Sequence, residues 1–223
     1  MIKAMILAAG RGERMRPLTD NCPKPMLKVK GIPLIEHHIK KLVSQGLCDI
    51  VINTAWLGEQ IIEYFGNGKA WGARIQYSEE RDGALETAGG IANALPVIGD
   101  CEYLLVVNGD IYSDYDFSSL PALTEDIDIH LWLTDNPEHN RTGDFSLNNG
   151  KVLPLSEHGD ALTYSGISLF RLDYFKQLKQ QPKIMPLGPL LKEASARGRV
   201  SGSKLSGQWT DVGTPERLAT LNK

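Results

Sequence analysis

Three short apolar runs, Ala4–Leu7, Asp49–Asn53 and Tyr103–Val107, punctuate the first half of the chain, and what lies between them limits the folds open to it. Apolar runs of that length read as strands covered on both faces. Between the first two, Leu34, Ile35, His38, Ile39, Leu42 and Val43 recur at helical spacing, and Gly46 stands where a helix end takes a residue of positive φ. A second helix is predicted over Leu57–Phe65, stopped by Gly66, and a short strand over Ile75–Tyr77. Thr87 is placed as the N-cap of a third helix that runs through Ala94 and ends before Pro96. Strands alternating with helices make an α/β fold, a mostly parallel sheet flanked by helices. Right-handed crossovers align the carboxyl ends of the strands, so the loops after Leu7, Tyr77 and Val107 are where a ligand is expected.

The second half has a different texture. Ile127, Ile129 and Leu131 alternate with Asp128, His130 and Trp132, and Asn148-Asn149-Gly150 reads as a hairpin turn between strands at 144–147 and 151–155. Gly166–Phe170 is a strand, Leu187–Ala196 a helix, and Pro215–Leu221 a last helix with Thr214 as N-cap and Pro215 at its first position. No linker or repeat separates the halves, so a single domain over residues 1–223 is expected, its second half laid over the open edge of the first. With 42% hydrophobic residues a chain of 223 builds a sizeable core without staples. A net charge of −3 excludes a strongly basic nucleic-acid binder. The cysteines, Cys22, Cys48 and Cys101, lack disulfide or zinc spacing, which suits a reducing cytoplasm. The opening apolar stretch, Ala4 to Ala9, is too short for a secretory signal, and no segment reaches the roughly 18 apolar residues of a membrane span.

The chemistry concentrates in Leu7-Ala8-Ala9-Gly10-Arg11-Gly12-Glu13-Arg14-Met15-Arg16-Pro17-Leu18-Thr19. Small residues and glycines let backbone N–H groups approach phosphate oxygens, and the arginines add forked cations. Met15 occupies the position of the third glycine of a dinucleotide fingerprint, and no P-loop is present. Pro23-Lys24-Pro25 mounts a lysine between two residues of fixed φ. Asn108-Gly109-Asp110 follows an apolar strand, where an acid is placed to hold a metal, and Asp211 follows a short apolar piece near the other end. His37 and His38 fall on a helix and His130 in a strand, with no histidine cluster to hold a metal.

The glycine loop followed by Pro23-Lys24-Pro25 resembles the signature of the sugar-1-phosphate nucleotidyltransferases. The likeness continues through Leu85-Glu86-Thr87-Ala88-Gly89-Gly90, Val107-Asn108-Gly109-Asp110 and Trp209-Thr210-Asp211-Val212-Gly213-Thr214, so it spans nearly the whole chain. It implies a Rossmann-like fold of the nucleotide-diphospho-sugar transferase type, with a nucleotide-binding half over 1–113 and a sugar-binding half over 114–223. It also implies an enzyme that joins a nucleoside triphosphate, UTP, to a sugar 1-phosphate with Mg²⁺ and releases pyrophosphate, the alternatives being a mannose-1-phosphate guanylyltransferase or other hexose-1-phosphate nucleotidyltransferase and, in a different class, a non-catalytic nucleotide-sugar sensor. By the same resemblance Gly10, Arg11, Gly12, Glu13 and Arg14 wrap the triphosphate with Lys24 and Thr87, and Arg14 and Lys24 are catalytic. Asp110 and Asp211 share the metal, while Asn108, Gly143, Glu157 and Asp211, with Thr163 nearby, take the acceptor. The nucleophile is an already ionised phosphate oxygen, so no general base is called for. Two departures stand out: Glu86 replaces a usual glycine in the base-reading segment, and Glu157-His158-Gly159 stands where Glu-Lys-Pro is common. The length leaves no room for the C-terminal β-helix or added helices of larger members, which implies a compact form.

Overall fold

The computed structural model describes the chain except residues 82, 84, 156–159, 181 and 182. In chain order the elements are β1 (Ile2–Leu7), β2 (Lys28–Val29), β3 (Ile32–Pro33), α1 (Leu34–Ser44), β4 (Asp49–Thr54), α2 (Gly58–Phe65), β5 (Arg74–Glu79) and α3 (Glu86–Ile98). There follow β6 (Tyr103–Asn108), β7 (Ile111–Ser113), β8 (Ile129–Thr134), β9 (Phe145–Asn148), β10 (Lys151–Pro154), β11 (Ala161–Arg171) and α4 (Leu172–Lys176). The chain closes with α5 (Leu187–Ala196), β12 (Val200–Lys204), β13 (Trp209–Asp211) and α6 (Pro215–Leu221).

One nine-stranded sheet, in the order β5-β4-β1-β6-β11-β8-β12-β10-β9, carries strands from both halves. The pairings of β5, β4, β1 and β6 are all parallel. Beyond β6, only β11 and β10 run against the common direction, because β11 is antiparallel to β6 and β8, and β10 to β12 and β9. The second half therefore extends the sheet past β6 rather than lying over its edge.

The period-two geometry of strands sorts the core onto two faces. Ala4, Ile6, Ile50, Ile52, Leu105 and Val107 pack on one side against Ile35, Ile39 and Leu42 of α1 and Ile61 and Phe65 of α2. Met5, Val51, Leu104 and Val106 pack on the other against α3, Phe175 of α4, and Leu187 and Leu191 of α5. A third, smaller core joins Met15, Leu27, Val29 and Leu34 to Val212, Leu218 and Leu221. It clamps α6 onto the first loop and explains Met15, which is fully buried there. The two-stranded ribbon β7–β13 sets Asp211 opposite Ile111, and the Val212 N–H donates to the Asp110 carbonyl at 2.9 Å.

Several local expectations change. Thr87 lies inside α3, whose N-cap is Leu85, and the helix runs through Pro96 to Ile98. Pro96 costs about 3 kcal/mol within a helix interior, but near the end it is offset by burying Leu95 and Ile98, roughly 1.5–3 kcal/mol each. The strand predicted from Gly166 begins at Ala161, and Gly166 (φ 82°) sits in a bulge between Tyr164 and Ile167. Asn149 and Gly150 both have positive φ, as the predicted hairpin turn requires. The three cysteines are free, and no helix of the described residues is long and apolar enough to cross a membrane.

The alternation read along β8 does not separate a wet face from a dry one, since His130 and Trp132 are as buried as Leu131. His130 shares hydrogen bonds with Ser201 Oγ (2.9 Å) and Ser203 Oγ (3.0 Å), and burial pushes its pKa from 6.5 down to about 4. Between those values the unfolded chain binds a proton that the folded chain refuses. The resulting stability is complete above pH 6.5 and is lost as pH falls toward 4. Urea unfolding from pH 7 to pH 4 should show His130→Gln losing less stability than the parent, by up to about 3 kcal/mol; parallel curves would refute the assignment.

Candidate active site

The loops after β1, β4 and β5 are tied together by one buried hydrogen-bond chain. The Ala8 N–H donates to Asn53 Oδ1 at 2.8 Å, Asn53 Nδ2 donates to Glu80 Oε1 at 2.8 Å, and Glu80 Oε2 accepts from the Leu85 N–H at 3.0 Å. Asn53 and Glu80 are buried, and a buried carboxylate is tolerable only when its oxygens are paired this way. The chain fixes where the glycine loop leaves the sheet and where α3 begins. Gly90 packs directly beneath it, for an added Cβ would stand 2.6 Å from Glu80 Oε1 and 2.9 Å from Asn53 Nδ2.

Gly109 does similar work at the neighbouring strand end. Its N–H donates to the Leu7 carbonyl at 2.8 Å, and a Cβ there would fall 2.6 Å from that oxygen. This close approach presents Asn108 and Asp110 beside the glycine loop. Asn108 packs under the bulge at Gly166, and its Oδ1 is buried without a hydrogen-bond partner among the described residues.

Lys24 is buried, and its ammonium donates to Asp110 Oδ2 at 2.6 Å. Gly12 (φ 70°) makes room for that lysine, since a Cβ would lie 3.0 Å from Lys24 Cβ. His38 supports the same corner by sharing a hydrogen bond with the Ile111 carbonyl (2.8 Å), and burial holds its pKa down at about 4. Across the ribbon, Asp211 Oδ2 accepts from Arg217 Nη1 at 2.6 Å and lies 3.1 Å from His139 Nε2. Asp110 and Asp211 thus stand at adjoining backbone positions, each with one oxygen engaged. Their carboxylates are hard donors of the kind Mg²⁺ takes, but only Asp110 lines a cavity, and Asp211 stands outside both linings. Among the described residues no group of three or more His, Cys, Asp or Glu side chains gathers to hold a metal by protein ligands alone.

A cavity of about 330 Å³ is lined by Leu7–Arg11, Lys24, Pro25, Asn53, Glu80, Glu86, Thr87, Asn108 and Asp110. It opens at the three loops anticipated from the strand ends. A second cavity of about 380 Å³ shares Glu86, Thr87 and Asn108 with it and continues along Asp144, Phe145, Tyr164 and the first turns of α5. Glu86 has φ 61°, a conformation that glycine adopts freely and that gives the glycine usual at this position its physical reason.

The structure gathers Gly10, Arg11, Lys24, Thr87, Asn108 and Asp110 around the first cavity. Gly12 supports it from behind. Glu13 and Arg14 are exposed and outside the lining, and Arg11 lies with its guanidinium 3.2 Å from the Trp56 ring centroid and its Nε on Glu13 Oε1 at 3.0 Å. Gly143 (φ 68°) forms a tight turn against Asn136 and Leu162 that presents Asp144 to the second cavity. Thr163 is buried, donating to Asn136 Oδ1 at 2.9 Å. Glu157 lies outside the described residues. Sequence reasoning missed Asn53, Glu80, His139 and Arg217; only the polar ends of β4 and β5 hinted at the first two. Replacing Gly90 by Ala should break the buried chain, cost about 1–3 kcal/mol by thermal unfolding, and raise KM for the nucleotide; unchanged stability and KM would remove its role.

The comparisons with known proteins agree with this geometry. Residues 3–223 match the family model described as Nucleotidyl transferase. The chain is 50% identical to N-acetylmuramate alpha-1-phosphate uridylyltransferase of Neisseria meningitidis, over 97% of this chain and 95% of that protein. It is 32% identical to the protein of the same description from Caulobacter vibrioides, over 96% and 92%. A putative glucose-1-phosphate thymidylyltransferase from Bacillus anthracis superposes with a TM-score of 0.84 at 22% identity, covering all of this chain and 94% of that one. A shared fold, and a sequence match from Lys3 to the last residue, make the chain a member of the nucleotidyl transferase family.

Proposed function

We propose that the chain joins UTP and N-acetylmuramate 1-phosphate to give UDP-N-acetylmuramate and pyrophosphate, in a cytoplasmic route that recycles cell-wall sugars. The observation that carries the reading is the pair of cavities meeting at Glu86, Thr87 and Asn108, one beside a glycine loop with Lys24 and Asp110, the other reaching the second half of the chain. Two substrates that must react with each other need adjoining sites. The likeness to the uridylyltransferase of Neisseria meningitidis supports the choice of base and sugar.

On this reading residues 1–113 hold the nucleotide and 114–223 the sugar. The N–H groups of Ala9 to Gly12 and the Arg11 guanidinium bind the triphosphate, and the small side chains at 8–10 admit it closely. An oxygen of the sugar phosphate forms a bond to the α-phosphorus, and the bond from that phosphorus to the bridging oxygen of the β-phosphate breaks, releasing pyrophosphate. Lys24, on its rigid mount, stabilises the charge that grows on the equatorial oxygens. Arg14 serves the leaving phosphates only by a movement of the loop inward. Asp110 and Asp211 would hold Mg²⁺, which supplies Lewis-acid charge neutralisation at the phosphates when bound. Arg217 and His139 keep Asp211 in place. Asn108 and the turn at Gly143 face the acceptor, and the family resemblance adds Glu157 to them.

Pyrophosphate release, measured with Mg²⁺ for five nucleoside triphosphates crossed with the 1-phosphates of N-acetylmuramate, N-acetylglucosamine, glucose and mannose, tests the reading. The largest signal is expected for UTP with N-acetylmuramate 1-phosphate. Strongest release with GTP and mannose 1-phosphate would overturn the substrates, and silence in every pairing would overturn the activity. Lys24→Ala should lower kcat by about 10²–10³ while UTP still binds; a variant of undiminished kcat would remove Lys24 from the chemistry.

A further inference from the structure

The second cavity is asymmetric in charge, and that asymmetry bears on which sugar it accepts. Its α3 side carries Glu86, exposed and without a partner among the described residues. Its far wall is α5, where Leu187 and Leu191 make an apolar surface with Phe145 and where Lys192 is the one cation in the lining among the described residues. Asp144 also faces the space, but its carboxylate is already engaged, accepting from Asn140 Nδ2 at 3.2 Å and from the Tyr164 N–H at 2.9 Å. Lys192 has no ion-pair partner among the described residues, unlike Arg197 just past the end of the same helix, which pairs with Glu193 at 2.6 Å.

The helix directs this lysine. Side chains on a helix lean toward its N-terminus over the residue four positions earlier. For Lys192 that residue is Gly188, where an added Cβ would meet nothing within 4 Å. Gly188 thus leaves open the space on the N-terminal side of Lys192, which itself lines the cavity. An unpaired cation beside an apolar wall matches a group that is a carboxylate on a short carbon stem.

Resting on the substrate reading above, we infer that Lys192 recognises the carboxylate of the lactyl ether on the acceptor sugar, with Phe145, Leu187 and Leu191 receiving the lactyl methyl and the N-acetyl group. Glu86, on the opposite wall, accepts hydrogen bonds from sugar hydroxyls and keeps the carboxylate directed toward α5. Lys192 is thus a specificity residue: it separates the lactyl sugar from plain hexosamine phosphates and takes no part in phosphoryl transfer.

The test uses the full chain with two acceptors, N-acetylmuramate 1-phosphate and its lactyl carboxamide, which keeps the shape and loses the charge. Lys192→Ala should raise KM for the acid by about tenfold or more, leave KM for the amide within about twofold, and leave kcat and KM for UTP unchanged. Lys192→Arg should restore most of the loss. The residue is exposed, so equal melting temperatures of variant and parent are expected and serve as the folding control. Equal effects on acid and amide, or no effect on either, would overturn the assignment to Lys192 while leaving the substrate reading intact. A parent enzyme that turns over another hexose 1-phosphate but not the lactyl sugar would overturn both.

Discussion

The architecture of this site hangs on a carboxylate that pairs with no cation among the described residues. Glu80 is buried at the end of β5, and both its oxygens are occupied by neutral donors, the Asn53 amide and the Leu85 N–H. Burial without those donors would cost several kcal/mol, and so the three loops that supply and surround them have little freedom to part. Asn53 carries the constraint onward to Ala8, the residue at which the glycine loop starts. The glycine loop, the start of α3 and the middle strands of the sheet are therefore positioned as one unit.

Around this unit the charges are balanced internally. Lys24 rests on Asp110, Asp211 on Arg217 and His139, and Arg11 on Trp56 and Glu13. Each pairing keeps a functional side chain ordered while leaving it exchangeable. On the proposed reading, a phosphate that draws Lys24 away from Asp110 would free an oxygen for a divalent cation, so that anion and cation binding would reinforce each other by ordinary Coulomb attraction.

Much of this was legible before any coordinates. The period-two and helical patterns located the parallel strands, α1, α5 and α6, because in each the buried face is built from side chains adjacent in the pattern. The strand-end rule pointed to the right loops. Where the sequence was opaque, the deciding contacts were distant ones. Pro96 reads as a stop until Ile98 is seen buried beneath it, and the bulge at Gly166 has no local cause, only the need to clear Asn108. Asn53 and Glu80 read as unremarkable strand ends, for nothing in their neighbourhoods shows that they face each other across 27 residues. Met15 excluded a dinucleotide loop correctly, yet its positive role, as the plug between the first loop and α6, depends on residues 200 positions away.

That last contact has a kinetic meaning. The small core joining Met15, Leu27 and Leu34 to Val212, Leu218 and Leu221 is reinforced by the Lys30 N–H donating to Asn222 Oδ1 across 192 residues. Contacts of such separation carry the largest loop-closure entropy and belong to the slow end of folding. A chain emerging from the ribosome can form its central parallel strands early, but its glycine loop is backed by α6 only once residues 212–221 have been made. The wall behind the glycine loop is in this sense among the last parts of the site to close, since it waits on Val212, Leu218 and Leu221.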